Sequence, residues 1–572
     1  MRLIGTRSLW CALLLVYVGS QHGTALDLQP EGEGHSDEMV ELHDIQGIPG
    51  EEEESYTRED ISCSFMLMGM FFFTMVIFYL VNYPDDDIKR YSWSIINTTI
   101  SIFCAVLIFS AADEVLISFV LNPLLGEFPR GWRQVGRVMV GYLLFIGWLI
   151  AAELMMACLA RAWCHSTGIS SQKQWVIHDH LRGDHGSPVA QEAIMLSATR
   201  EKSVARIGQL EVFVTVEDLE REASERQIKC WSMLFAHMAG FAMISAGGDL
   251  QHSEVFVEHW FMSLVSVAAN VVFLLLIFWI SAKLRPRPDE SDDSDDNNAP
   301  IELWNEHAIE AEDELFCLAI SFLLVQALRF QVTGIMPTKT GLEPGKNFGA
   351  REIWTIYAEA VLFAVATVAV VLLGKTGRLA DLTRGTLSMS FAWCLLFASR
   401  WMFESWPLLV RLNISPFSIE GRLVLSLFLS AFACSVIIVL DQIEDAATGD
   451  DRRVTHKIVK NIVTGLSILV GFTWETTMDG CTEAVVSMFH NHERRRLVSK
   501  IFGCCIILLV VLPAWRRYIL HNVVKLMKYK KDQRAALKIA DKLKNLDPKF
   551  QDIYDVDSDS SESAIVEPEL TC

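Results

Sequence analysis

The chain has 572 residues, 51% of them hydrophobic, and a mean hydropathy of +0.29. That composition excludes an ordinary soluble protein, because the apolar residues gather into runs of roughly 20, the length of a membrane-crossing helix. Three segments, 26–60, 289–314 and 551–572, carry net charges of −12, −12 and −7, so the rest of a chain whose total is −21 carries +10. A basic body with acidic segments fits a membrane protein and gives no support for nucleic-acid binding.

At the start, Arg2 and Arg7 precede the short apolar stretch Ser8–Gly19, which is followed by the small residues Gly23-Thr24-Ala25. This pattern predicts a cleaved signal peptide over 1–25. Residues 26–60 then read as an acidic, disordered extracytoplasmic N-terminus. Three transmembrane helices are expected within 61–160, at 61–82, 93–116 and 137–160. A cytoplasmic helical loop occupies 161–229. In it Ser187-Pro188 marks one helix start, and Thr215-Val216-Glu217-Asp218 opens another that runs toward the fourth span.

Eight further spans are expected within 230–520, at 230–250, 257–282, 314–336, 352–374, 385–406, 420–441, 458–480 and 497–520, with an acidic inner loop at 283–313. Residues 521–549 read as a basic juxtamembrane helix suited to the anionic lipids of the inner leaflet. Residues 550–572 read as an acidic, disordered tail. The fold class is therefore an all-α polytopic transmembrane helix bundle of about 11 spans after a cleaved signal peptide.

Orientation follows from the basic residues. Lys89, Arg90, Arg161, Lys283, Arg285, Lys375, Arg378, Arg384, Arg452 and Arg453 all fall on one side if the N-terminus is outside and the C-terminus cytoplasmic. The run Glu493–Arg496, "ERRR", is the exception. Asn413-Ile414-Ser415 is an N-x-S sequon in an outer loop, which makes Asn413 a candidate glycan acceptor, whereas Asn97-Thr98-Thr99 lies within a span. The expected location is a membrane of the secretory pathway, the plasma membrane foremost.

Ionisable groups inside spans are costly in hydrocarbon, so they mark protein- or water-facing surfaces. Arg329 and Glu359 lie at similar depth on consecutive antiparallel helices, which makes an ion pair between them plausible. Arg400 reaches a similar depth and shares a face with Glu404 at i,i+4. Glu475, Asp479 and Glu483 form an i,i+4 strip among threonines, an oxygen-rich surface suited to a cation or a proton. Arg329, Glu359, Arg400, Glu404, Glu475 and Asp479 form the candidate ion pathway.

Glu114 in "SAADEVL" and Asp249 in "SAGGDLQ" occupy equivalent positions at the outer ends of parallel helices. With Glu483 they read as the rim of a vestibule. Glu153 and His237 lie deeper toward the inner side; His237 is either a relay or a packed neutral histidine.

The sequence has no Walker, GxSxG, HExxH or kinase pattern, so nothing supports catalysis, and no cofactor is expected. "HDHLRGDH" at 178–185 has metal-ligating residue types in the wrong surroundings, and no metal site is expected from it. The resulting expectation is a multi-pass transporter or channel for a cation or proton, with the lipid bilayer as its constant partner. The alternative is a non-transporting membrane receptor or scaffold that signals through its loop and tail.

Overall fold

The computed structural model describes residues 58–121, 130–160, 175–177, 213–286, 295–338, 348–374, 376–411, 414–447, 450–487 and 493–526, with residues 123 and 341 besides. The signal peptide, the acidic segment before residue 58, most of the 161–229 loop, Asn413 and the tail beyond residue 526 lie outside the described residues.

Eleven long helices run through the described chain. They are α1 (Arg58–Val81), α2 (Asp86–Leu116), α3 (Arg130–Leu159), α4 (Val216–Gln251), α5 (Trp260–Leu284) and α6 (Asp295–Thr333). The others are α7 (Ala350–Leu372), α8 (Arg378–Ser405), α9 (Ile419–Ala446), α10 (Asp450–Ser487) and α11 (Glu493–Ala514). Nine of them, all but α1 and α8, are long and apolar enough to cross a membrane. The protein is a multi-pass helical membrane bundle.

Two features differ from the sequence reading. The acidic stretch expected as an inner loop over 283–313 is helical from Asp295 onward. Its charges sit on the strong helix formers Glu302, Glu306 and Glu310, and cationic partners from neighbouring helices meet part of them. The described part of the loop expected to be helical contains an antiparallel pairing of β1 (Trp175–Ile177) with β2 (Phe213–Thr215), while the helix expected to open at Thr215–Asp218 and run into the fourth span is present as the start of α4. The aromatic and β-branched residues of Trp-Val-Ile and Phe-Val-Thr favour that extended form.

Burial divides the helices into two kinds. The most apolar stretches of α4, α6 and α10 are 78%, 78% and 72% buried, whereas those of α5, α7, α9 and α11 are 11–39% buried. Helix α8 belongs with the first kind: it buries Trp393, Phe397, Trp401 and Phe403 along with Ser388, Ser390 and Ser399. The serines Ser388, Ser390 and Ser399 of α8 are thus tolerated because protein, not lipid, surrounds them, whereas Leu379, Asp381 and Thr383 at its start are exposed.

Side-chain hydrogen bonds join the helices across the apolar packing. Ser426 Oγ on α9 donates to the Thr473 carbonyl on α10 at 2.6 Å, and Trp474 Nε1 donates to Ser430 Oγ at 2.9 Å. Trp393 Nε1 on α8 donates to Ser321 Oγ on α6 at 3.1 Å. A π-helical turn at Trp515–Ile519 follows Pro513, whose missing N–H breaks the regular ladder. Trp515 is fully buried there, and its Nε1 donates to Asn97 Oδ1 at 2.7 Å. Asn97 is therefore a core hydrogen-bond acceptor.

Alternate helices run in opposite directions, so the bundle has two ends. One is where α2, α4, α8 and α10 finish, and the other is where they start. At the starting end one group of buried charges is paired. Glu153 of α3 accepts from Ser281 Oγ at 2.9 Å and Trp304 Nε1 at 3.0 Å, and Arg285 Nε lies 3.6 Å from it. Arg285 also donates to the buried Glu312 of α6, and Glu312 accepts from Arg378 of α8 at 2.7 Å. The network ties α3, α5, α6 and α8 into one register.

Removing one partner of a buried pair leaves an uncompensated charge, which costs about 3–5 kcal/mol. Glu312→Ala is expected to destabilise the bundle by about that amount. Arg452→Ala, which breaks a 3.9 Å pair between exposed side chains, is expected to cost under about 1 kcal/mol. Denaturant unfolding of both variants in detergent micelles checks the difference.

Candidate functional site

The finishing end of the bundle is built differently. A cavity of about 770 Å³ opens between α2, α3, α4, α8, α9, α10 and α11. Its walls carry six carboxylates (Asp113, Glu114, Asp249, Glu475, Asp479 and Glu483) and four cationic groups (Arg137, Arg400, Arg422 and Lys500). The lining is net acidic, and its charged groups come from seven different helices.

Helix geometry explains the convergence. Glu475, Asp479 and Glu483 are one turn apart, and each step of four residues advances the helix by about 40° beyond a full turn. All three consequently share the face of α10 that looks into the cavity. Ser110, Asp113 and Glu114 bring the last turns of α2 to the same space, and Ser245 and Asp249 bring the last turns of α4. The two similar segments "SAADEVL" and "SAGGDLQ" therefore line one cavity.

Aromatic rings line its inner surface. Phe241 packs edge-on to Phe472 with centroids 5.6 Å apart, Trp393 lies 4.3 Å from Phe472, and Phe322 lies 4.9 Å from Trp393. These four rings come from α4, α10, α8 and α6 and interlock among themselves. They give the cavity an apolar base beneath a charged mouth, the usual make-up of a small-molecule site.

The charged groups are not all neutralised within the wall. Lys500 Nζ lies 2.9 Å from Glu114 Oε2 and ties α11 to α2 at the rim. Arg422 Nη1 donates to the Thr476 carbonyl at 3.0 Å. It can do so because Gly480 has no side chain; a Cβ there would lie 2.7 Å from that nitrogen. Arg400 lies over the Phe417 ring at 4.5 Å, a cation–π contact and not an ion pair. Glu475 and Asp479 accept no hydrogen bond and form no ion pair among the described residues, and both face the cavity.

Three residues of the expected pathway stand apart. Arg329 is fully buried behind the wall: its guanidinium stacks 3.6 Å from the Phe397 ring, lies 5.6 Å from Trp401, and donates to the Gly341 carbonyl at 2.8 Å. Gly341 has φ +74°, and a Cβ on it would come 3.0 Å from Phe397. The glycine thus fits both the turn and the close approach.

The expected Arg329–Glu359 pair does not form. Glu359 is partly buried on α7, and its Oε2 is enclosed without a hydrogen-bond partner among the described residues. Equal depth does not bring the groups together, because Arg329 is rotated toward α8. Glu404 shares the α8 face of Arg400 in sequence, yet it does not line the cavity, and no ion pair joins the two among the described residues.

Asp113, Arg137, Arg422 and Lys500 were not among the expected site residues. Each is a charged residue within about two turns of a helix end, on the side where the acids also gather. That shared level was the available signal. His237 lies below the aromatic base, fully enclosed, with Nδ1 2.9 Å from Ser101 Oγ and Nε2 3.3 Å from Glu314.

Comparison with known protein families, curated proteins and solved structures finds no match to this chain. The fold and the cavity define a multi-pass helical membrane protein with an acid-lined cavity.

Accessibility tests this geometry. Cysteines placed at Ser110 and Ser245, which line the cavity, should react with a charged, water-soluble thiol reagent. A cysteine at Ser101, which is fully buried, should not. Labelling above that of the unsubstituted protein, read by mass spectrometry, checks it.

Proposed function

We propose that the protein is a membrane transporter for a cationic solute, which enters the cavity and is held by Glu475 and Asp479. The observation that carries this reading is the pair of carboxylates on α10, open to the cavity with no ion-pair partner among the described residues, above a base of aromatic rings. A positive group entering from water would gain two carboxylates and the faces of the rings. A volume of about 770 Å³ favours a small organic cation over a bare ion or proton as cargo. Arg400 and Arg422 would then tune the acidity of the site and reject a second cation.

In the same reading all eleven helices span the membrane after removal of a signal peptide. The N-terminus is outside, the basic tail lies against anionic lipids on the cytoplasmic side, and the cavity opens outward. The interlocked rings of Phe241, Phe322, Trp393 and Phe472 favour a carrier, in which they move aside during the cycle, over an open channel. The same closed base also supports a second reading, a receptor that binds its ligand and does not pass it.

Reconstitution of the full chain in vesicles separates the two. Binding and flux of sodium, protons, choline and tetraethylammonium should reveal one saturable cargo. Glu475→Gln should weaken it about tenfold or more, while Glu359→Gln should leave it unchanged. Saturable binding without flux supports the receptor. The absence of both binding and flux for all four probes overturns the cation reading.

A further inference from the structure

The starting end of the bundle carries a second concentration of acids, where α2 begins and α9 ends. Asp85, Asp86, Asp87, Asp441, Glu444 and Asp445 meet there. Most have a partner of opposite charge. Lys89 lies 3.5 Å from Asp86, Arg90 lies 3.1 Å from Asp87, and Arg452 lies 3.9 Å from Asp445. Glu444 accepts from Tyr91 Oη at 3.1 Å and lies 2.5 Å from His456 Nδ1.

Two carboxylates remain without a cation. Asp85 caps α2, with Oδ1 accepting from the backbone N–H groups of Asp87 and Ile88, which leaves Oδ2 unused. Asp441 is the more demanding group. It is only 5% exposed, and no hydrogen bond or ion pair reaches its carboxylate among the described residues. One carboxylate oxygen each from Asp85, Asp87 and Asp441 lies within 4.8 Å of the other two.

A buried, unpaired carboxylate beside two others is costly unless a cation joins it. All three oxygens lie within 4.8 Å of one another, close enough to share one ion. The donors are hard oxygens, and Asp85 and Asp87 are already held by a helix cap and an ion pair, so the set suits Ca²⁺, which accepts irregular oxygen shells, over Mg²⁺, which demands near-ideal octahedral geometry.

We propose that Asp85, Asp87 and Asp441 form a Ca²⁺ site that joins the start of α2 to the end of α9. Asp441 supplies the ligand from within the bundle, and Asp85 supplies the oxygen that its capping role leaves over. Asp87 shares its charge between the ion and Arg90, and water completes the shell. Three carboxylates against one divalent ion leave the site at −1, which the Arg90 guanidinium balances. Because α9 also provides Arg422 to the cavity, the ion would fix the far end of a helix that bears a cavity group.

The test uses the purified full chain in detergent, with ⁴⁵Ca²⁺ binding and thermal unfolding measured during Ca²⁺ titration. The acidic segments of the chain will also collect Ca²⁺ loosely, so the decisive quantity is what Asp441→Asn removes. The expected result is one saturable site that raises the unfolding temperature and is weakened about tenfold or more in Asp441→Asn and in Asp85→Asn. Mg²⁺ should compete at least about tenfold less well. Without Ca²⁺, Asp441→Asn should unfold at or above the wild-type temperature, because it relieves repulsion. Glu475→Gln should bind Ca²⁺ as wild type does, which separates this site from the cavity. Absence of a saturable site in the wild type, or a site unchanged in both Asp variants, overturns the proposal.

Discussion

A carboxylate or guanidinium placed against lipid costs several kcal/mol, and this bundle holds many of them. The arrangement of the helices follows from that constraint. The polar residues are concentrated on α4, α6, α8 and α10, and apolar helices such as α5, α7, α9 and α11 shield these from lipid. Most of the polar side chains within that core are then consumed in joining one helix to another. Serines meet backbone carbonyls, Trp393 and Trp474 meet serines, and Trp515 meets Asn97. Each such bond both satisfies a buried group and fixes the rotation of a helix about its own axis.

The ion network at one end of the bundle and the cavity at the other use their charges in opposite ways. At the starting end Glu153, Arg285, Glu312 and Arg378 bond one another, and little of that charge is left for a ligand. At the finishing end six acids and four cations face shared space; Glu114 pairs with Lys500, Asp113, Asp249 and Glu483 are engaged as well, and Glu475 and Asp479 accept no hydrogen bond and form no ion pair among the described residues. A bundle built only for stability would pair those groups or exclude them, since unpaired charge in a partly enclosed space is destabilising. The absence of a hydrogen bond or ion pair on Glu475 and Asp479 among the described residues, more than the size of the cavity, is what supports the proposal that a ligand binds there.

Much of this was legible in the sequence, and the gaps have physical causes. The eleven apolar runs correspond to eleven helices because about 20 consecutive apolar residues have few alternatives to a helix. The helix ends were harder to place. Asp295–Asp313 reads as a loop by charge, yet it extends α6, because its glutamates are good helix formers and part of them find cationic neighbours. The i,i+4 strip of Glu475, Asp479 and Glu483 was readable because a single helix fixes its own angles. The Arg329–Glu359 pair failed for the converse reason. Sequence gives the depth of each residue, but rotation of one helix relative to another depends on packing, here on the stacking of Arg329 against Phe397.

Arg329 and the aromatic base show how the two levels connect. Phe397 has the cavity on one side and the Arg329 guanidinium against it, so a cation that never touches the cavity supports its wall. Trp393 stacks on Phe397 with centroids 5.9 Å apart and in turn contacts Phe472, the residue one turn below Thr476 on the acid-bearing helix. A continuous series of ring contacts thus runs from a buried charge on α6 across α8 to α10. Tightly packed rings rearrange between discrete arrangements more readily than they deform by small amounts. In the carrier reading proposed above, a movement that opens the base would shift Phe397 and Phe472 together, and with Phe472 the turn of α10 that presents Glu475 and Asp479. Occupancy of the two carboxylates and closure of the base would then be linked through a single helix.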